Sequence, residues 1–161
     1  MQIFRTSSTI RRLLAVAAAA ALLLAFSTSA VATPPGGLSA EVLVAANVVD
    51  PTQVKLKESG GFGDPRDVDQ IVTARFEVSA GGTFGWHRHP GPVVVAISEG
   101  TLTVTTAGGC ATRTYGPGEG FIESGRVAHI AVNQGSSPVI LYATFLLPDH
   151  AAPLVDEPVA C

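Results

Sequence analysis

Short turn-forming segments interrupt the chain about every ten residues from Val68 onward, and this rhythm limits the possible folds more than any other feature. The stretches between the turns are rich in β-branched and aromatic residues, as in Val68–Val78 and Val139–Leu147. Val93–Ser98 is a continuous apolar run of the kind expected for a strand buried on both faces. Helical periodicity is absent from this part of the sequence. The pattern predicts an all-β sandwich or barrel.

The first 32 residues have the organisation of a secretory signal peptide. Basic residues at the start precede an apolar run over Leu13–Phe26, and Ala30-Val31-Ala32 is a small-residue cleavage pattern. A membrane anchor is the alternative, but a run of about fourteen residues is shorter than the roughly twenty that a spanning helix needs. Arg11-Arg12 leaves twin-arginine export open beside the general secretory route. We therefore expect a secreted or periplasmic protein with no stable membrane span after cleavage.

The remaining chain is long enough for one domain. We predict an N-terminal extension and loop over residues 33–66, a β-barrel over 67–148 and a C-terminal tail over 149–161. Within the extension, Glu41–Val49 suits either a short helix or an edge strand. The net charge is −3 and no basic stripe is present, which argues against a nucleic-acid partner.

The chain has two cysteines, Cys110 and Cys161, and both lie in the exported part. An even number of cysteines in an oxidising compartment favours a disulfide. Such a bond would tether the C-terminus to the loop around Cys110. Two free thiols, or a link to another molecule, are the alternatives.

Two histidines separated by one residue, His87 and His89, follow a stretch with strand character. Side chains alternate along a strand, so these two imidazoles are expected on one face. His129 lies about forty residues downstream in a second strand segment. Three neutral imidazoles can bind a divalent transition metal and leave coordination positions open. The fourth histidine, His150, follows the last strand and is expected in a solvated tail.

Other ionisable residues give no clear acid or base. Glu77, Glu123 and Tyr115 are polar groups that could reach a pocket, but their spacing assigns none of them a role. The sequence therefore does not identify a general acid or base, and any catalytic residue stays unknown at this stage.

The histidines lie in two motifs whose spacing resembles that of the cupin superfamily. The first motif comprises Gly81, His87, His89, Val93 and Gly100, and the second comprises Gly118, Ser124, Arg126, His129 and Asn133. The chain is most similar to small secreted bacterial single-domain cupins. The resemblance implies a double-stranded antiparallel β-helix, the jelly-roll barrel, with His87, His89 and His129 as metal ligands pointing inward. Where many cupins have a glutamate ligand, this chain has Val93, and Ser124 and Arg126 replace a usual proline and glycine.

These residues lead to two functional hypotheses, and the breadth of the fold alone suggests a third, a structural or storage role. The metal could be Fe, Mn, Zn, Cu or Ni, since the histidines alone do not choose among them. In the first hypothesis it acts on a small metal-chelating organic molecule, with dioxygenase- or isomerase-like chemistry. In the second, the barrel is a non-catalytic module that binds the metal or a small molecule. Without a carboxylate ligand, the site is expected to keep the full metal charge. A homodimer is a further expectation from the resemblance.

Overall fold

The computed structural model describes residues 34–58, 61–62, 66–149 and 151–161. Their strands are β1 Gly36–Val54, β2 Lys57–Glu58, β3 Gly61–Phe62, β4 Arg66–Arg88, β5 Val93–Glu99, β6 Leu102–Thr106, β7 Ala111–Tyr115, β8 Gly120–Glu123, β9 His129–Val132, β10 Val139–Leu147 and β11 Val155–Asp156. Among the described residues, no helix is long and apolar enough to cross a membrane. The signal peptide predicted for residues 1–32 and the tail position predicted for His150 lie outside the described residues.

The long strand β4 belongs to two sheet layers. Its first half, up to Val78, lies between β1 and β10, and that layer continues through β5 to β8. Its second half, from Thr83, lies between β9 and β11, and that layer continues through β6 to β7. All of these pairs are antiparallel, and the two layers enclose a nearly closed β-barrel. The prediction of an all-β barrel is confirmed.

The core lies between the two layers and follows the period-two alternation of each strand. In β5, Val93 is 1% exposed and Val94 is 44% exposed. The expectation that Val93–Ser98 is buried on both faces was therefore wrong, because the outer face of this layer is open to solvent. Phe76 on β4 and Phe145 on β10 pack together in the core, with ring centroids 6.3 Å apart. The segment Glu41–Val49 is a strand, since it lies within β1 and pairs with β4.

The bend between the two halves of β4 is held by Asn133, whose side chain is fully buried. Its amide nitrogen donates to the carbonyls of Val78, Ser79 and Ser137 at 2.9, 3.1 and 2.8 Å. Its side-chain oxygen accepts from the Gly135 amide at 2.9 Å. One side chain thus ties the bend in β4 to the turn before β10, which fixes where the second half of β4 enters the barrel.

We predict that Asn133→Asp lowers the free energy of unfolding by about 3 kcal/mol or more, because the new carboxylate would face three carbonyl oxygens in a dry site. The two side chains are nearly the same size, so packing is preserved. The measurement is urea denaturation, with Asn47→Asp at an exposed position of β1 as the matched control. Equal midpoints for the two variants would show that the Asn133 amide does not hold the bend.

Candidate metal centre

Two adjacent strands place the three predicted histidines together. His87 and His129 are direct partners in the pairing of β4 with β9. His89 follows the end of β4 by one residue and keeps the same face as His87. All three side chains are buried, and one nitrogen from each lies within 4.8 Å of the others. The three imidazoles therefore form one inward-facing cluster.

Each imidazole is oriented by a backbone carbonyl. The Nδ1 atoms of His87, His89 and His129 lie 2.9, 2.7 and 3.1 Å from the carbonyl oxygens of Gly85, Pro153 and Val127. A carbonyl can only accept, so each Nδ1 carries a proton and donates it. This leaves Nε2 as the ligand atom on every ring. The arrangement is the one found around metal-bound histidines, and these residues could hold a divalent transition metal.

Two glycines allow the loops of the two motifs to meet beside His89. A side chain at Gly91 would clash with the Leu146 carbonyl, so the loop after His89 can lie directly on β10. Gly125 has a φ of 86°, and a side chain there would clash with the Gly91 carbonyl. Only glycine accommodates both the close approach and the positive φ. The loops after β4 and β8 are thereby packed against each other at the site.

The C-terminal tail covers one side of the cluster. Pro153 supplies the carbonyl for His89, Leu154 lines the pocket, and β11 pairs with the end of β4. An ion pair between Arg88 and Glu157 holds the tail further along. A disulfide joins Cys161 to Cys110, so the tail end is tied to the turn between β6 and β7.

Glu123 at the end of β8 joins the three histidines, and sequence analysis gave it no role. Its Oε1 lies 2.9 Å from Nε2 of His129, and its Oε2 lies 3.0 Å from Nε2 of His89. The side chain is 14% exposed. Its position follows from the register of β8, in which Glu123 pairs directly with Val93 on β5, and the sequence pattern does not reveal that register. Neither Glu77 nor Tyr115 contributes to this cluster among the described contacts.

Burial and mutual charge determine how these groups titrate. Burial lowers the pKa of His87 to about 4, with the neighbouring charge of His129 acting in the same direction. Burial alone would raise the pKa of Glu123, but hydrogen bonds from His129 and His89 outweigh it and lower that pKa to about 2. Burial would also lower the pKa of His129, yet the hydrogen bond and charge of Glu123 raise it above 6.5. Glu123 is therefore a carboxylate that attracts positive charge to the Nε2 atoms.

Two cavities meet at the cluster. The inner one, with a volume of about 30 Å³, lies among the histidines and apolar core side chains such as Phe76 and Phe145. The outer one has a volume of about 430 Å³ and is bordered by Leu56 and Lys57. Phe121, Glu123 and His129 line both cavities. The cluster thus has room for an ion on the inside and access to a larger space on one side.

Comparisons with known proteins point to one family. Residues 74–145 match the family model described as a cupin domain. No curated protein sequence matches the chain. Among solved structures, an oxalate oxidase in complex with the substrate analogue glycolate is 23% identical, with a TM-score of 0.47 over 53% of this chain and 45% of that one. This chain therefore spans less than half of that oxidase.

Two further structures are similar over different lengths. A cupin domain from Bordetella pertussis Tohama I is 19% identical, with a TM-score of 0.46 over 70% of this chain and 94% of that one. The oxalate decarboxylase OxdC of Bacillus subtilis, which has Mn(II) centres, is 26% identical, with a TM-score of 0.46 over 53% of this chain and 23% of that one.

We predict that, in protein freed of metal with EDTA, Glu123→Gln destabilises the fold most between pH 4.5 and 6.5. The contribution of Glu123 is complete above its ordinary pKa of 4.5 and is lost as the pH falls toward about 2. The contribution of His129 is complete below its ordinary pKa of 6.5 and is lost as the pH rises through its raised value. The measurement is the free energy of unfolding by denaturant, for the parent and for Glu123→Gln, across the pH range. Glu99→Gln on β5 is the control. A difference that does not vary with pH would contradict the ion pair.

Proposed function

We propose, on the premise that the chain belongs to the cupin superfamily, that it is an exported protein that binds a divalent transition metal through His87, His89 and His129. The observation that carries the proposal is the orientation of the three rings. Every Nδ1 donates to a backbone carbonyl, and every Nε2 is thereby directed into one inward cluster. The donor set leaves Fe, Mn, Zn, Cu and Ni open.

The fold holds these histidines in place before any ion arrives. Gly85 and Val127 each lie two residues before the ring that they orient, so the contacts that orient His87 and His129 are local in sequence. Pre-oriented ligands reduce the ordering that binding requires. A bound metal would supply Lewis-acid or redox chemistry to a molecule held beside it.

We further propose that a small metal-chelating organic molecule occupies the outer cavity, with dioxygenase- or isomerase-like chemistry as the reaction class. The volume of about 430 Å³ suits a small ligand. His129 lines this cavity, so a ligand there lies next to the metal ligands. Lys57 at its outer end favours an anionic molecule. A protein that binds such a molecule without turnover would instead be the non-catalytic module.

Export of the protein, to the periplasm or outside the cell, is supported by the disulfide between Cys110 and Cys161. Structural disulfides persist in oxidising compartments and are rare in the cytosol. Both cysteines lie far along the chain from the predicted signal peptide, so the two lines of support are independent.

The metal proposal predicts near-stoichiometric Fe, Mn, Cu, Ni or Zn in protein purified without affinity tags or chelators. A His87→Ala, His89→Ala double variant should contain none, because two of the three nitrogen ligands are gone. Elemental analysis makes the comparison, and His150→Ala is the control for a histidine that is not one of the proposed ligands. A metal-free parent protein that folds normally would overturn the proposal.

The cavity proposal predicts that acetohydroxamate, a small chelating anion in its bound form, changes the visible spectrum of Co²⁺-loaded protein. Acetamide has a similar size, cannot chelate and should leave the spectrum unchanged. Lys57→Met should weaken acetohydroxamate binding about two- to fivefold, because an exposed charge contributes up to about 1 kcal/mol. Lys55→Met is the matched control. A spectrum insensitive to acetohydroxamate would show that no coordination position faces the cavity.

A further inference from the structure

We infer that Glu123 is a fourth metal ligand. Its carboxylate comes from β8, at the position paired with Val93 on β5. The inference rests on the proposed function, because it assigns a further residue to the same centre. It replaces the expectation that the site has no carboxylate and keeps the full metal charge.

The register of β5 and β8 directs Glu123 into the barrel. Val93 and Glu123 are direct partners in this antiparallel pair, and Val94 is the partner of Ile122. Directly paired side chains lie on the same face, with Cβ atoms about 5 Å apart. Val94 and Ile122 are both exposed, whereas Val93 is buried in the core. Glu123 therefore shares the inward face with Val93, and its longer side chain passes the valine toward the histidines.

The contacts of the carboxylate place it at the metal-facing atoms. Its two oxygens lie 2.9 and 3.0 Å from Nε2 of His129 and His89, the nitrogens left free by the carbonyls of Val127 and Pro153. The carboxylate therefore faces the same space as the Nε2 atoms of His89 and His129. A divalent metal held by those nitrogens would lie within reach of a Glu123 oxygen.

Burial requires a cation opposite this carboxylate. Glu123 is only 14% exposed, and the inner cavity is lined largely by apolar side chains. A buried carboxylate without a partner is strongly unfavourable. Lys57, the cation that borders the outer cavity, is exposed and has no described contact with Glu123. The described side chains that contact the carboxylate oxygens are His89 and His129, so a cation bound by the histidine cluster would lie next to Glu123.

The additional ligand changes the chemistry expected of the centre. Three imidazoles and one carboxylate form a mixed nitrogen and oxygen donor set, which suits Mn and Fe better than three imidazoles alone. The carboxylate also reduces the charge of a divalent centre from +2 to +1. A monoanionic chelating molecule would then neutralise the centre.

The alternative role for Glu123 is to compete with the metal for the histidines. The two roles predict opposite effects of Glu123→Gln, which removes the charge and keeps the size. If Glu123 is a ligand, the variant binds Mn²⁺ at least about tenfold more weakly, since even residues that only support ligands typically contribute tenfold or more. If Glu123 competes, the variant binds Mn²⁺ as tightly as the parent or more tightly.

The experiment measures the affinity of the whole mature protein for Mn²⁺, using the EPR signal of the free ion. Four proteins are compared: the parent, Glu123→Gln, an exchange variant that carries both Val93→Glu and Glu123→Val, and the control Glu99→Gln at an exposed position of β5.

The inference predicts weak Mn²⁺ binding for Glu123→Gln. It predicts recovery of binding in the exchange variant, because that variant returns a carboxylate from the paired position. Unchanged or tighter binding by Glu123→Gln would overturn the inference and leave the three-histidine proposal standing. A parent that binds no Mn²⁺, Zn²⁺ or Fe²⁺ would overturn both.

A crystal structure of the Zn²⁺-loaded parent gives a second test that does not depend on how the variants fold. The inference expects a Glu123 oxygen at about 2.0–2.2 Å from the metal. A metal bound by the three histidines with the carboxylate turned away would overturn the inference alone.

Discussion

The centre depends on three hydrogen bonds from imidazole Nδ1 atoms to backbone carbonyls. A histidine side chain can turn either nitrogen inward, and only a partner on the outer side makes one choice stable. For His87 and His129 that partner is the residue two positions earlier, which lies in β4 for His87 and in the loop before β9 for His129, so a local contact orients each ring. For His89 the partner is Pro153, which is 64 residues away in sequence. The third histidine is therefore oriented only when the chain has folded completely.

His89 depends on the C-terminal tail, and residues 153–161 of that tail make many contacts with the barrel. β11 pairs with the end of β4, the Glu157 amide donates to the Trp86 carbonyl at 2.9 Å, and the side chain of Glu157 forms an ion pair with Arg88. The disulfide to Cys110 then limits how far the end of the tail can move. A two-residue strand would fray if it had no other support. Together, the β11 pairing, the Glu157 contacts and the disulfide keep the Pro153 carbonyl at the site and Leu154 over the pocket.

Much of the fold and part of the centre could be predicted from the sequence, and the reasons differ between residues. The turn rhythm identified the all-β barrel, and the period of two placed His87 and His89 on one face. Glu123 could not be found this way, because its role depends on which residue of β5 lies opposite it. The tail could not be found either, because Pro153 acts through a backbone carbonyl, which every residue possesses. Val94 was misassigned because an apolar side chain does not reveal whether the outer face of its sheet is covered.

The two cavities define the direction from which a molecule can reach the centre. The inner cavity of about 30 Å³ has room for little more than an ion and a water molecule, whereas the outer one of about 430 Å³ has room for a small organic molecule. The residues common to both are Phe121, Glu123 and His129, and Tyr115 stacks on Phe121 at 4.3 Å. A molecule in the outer cavity therefore meets the centre on the side of Glu123 and His129, while His89 is shielded by the tail. The Glu123 carboxylate thus also lies beside the route from the outer cavity to the histidines. Its negative charge would disfavour an anion in that cavity, unless the anion bound directly to a metal held by the histidines.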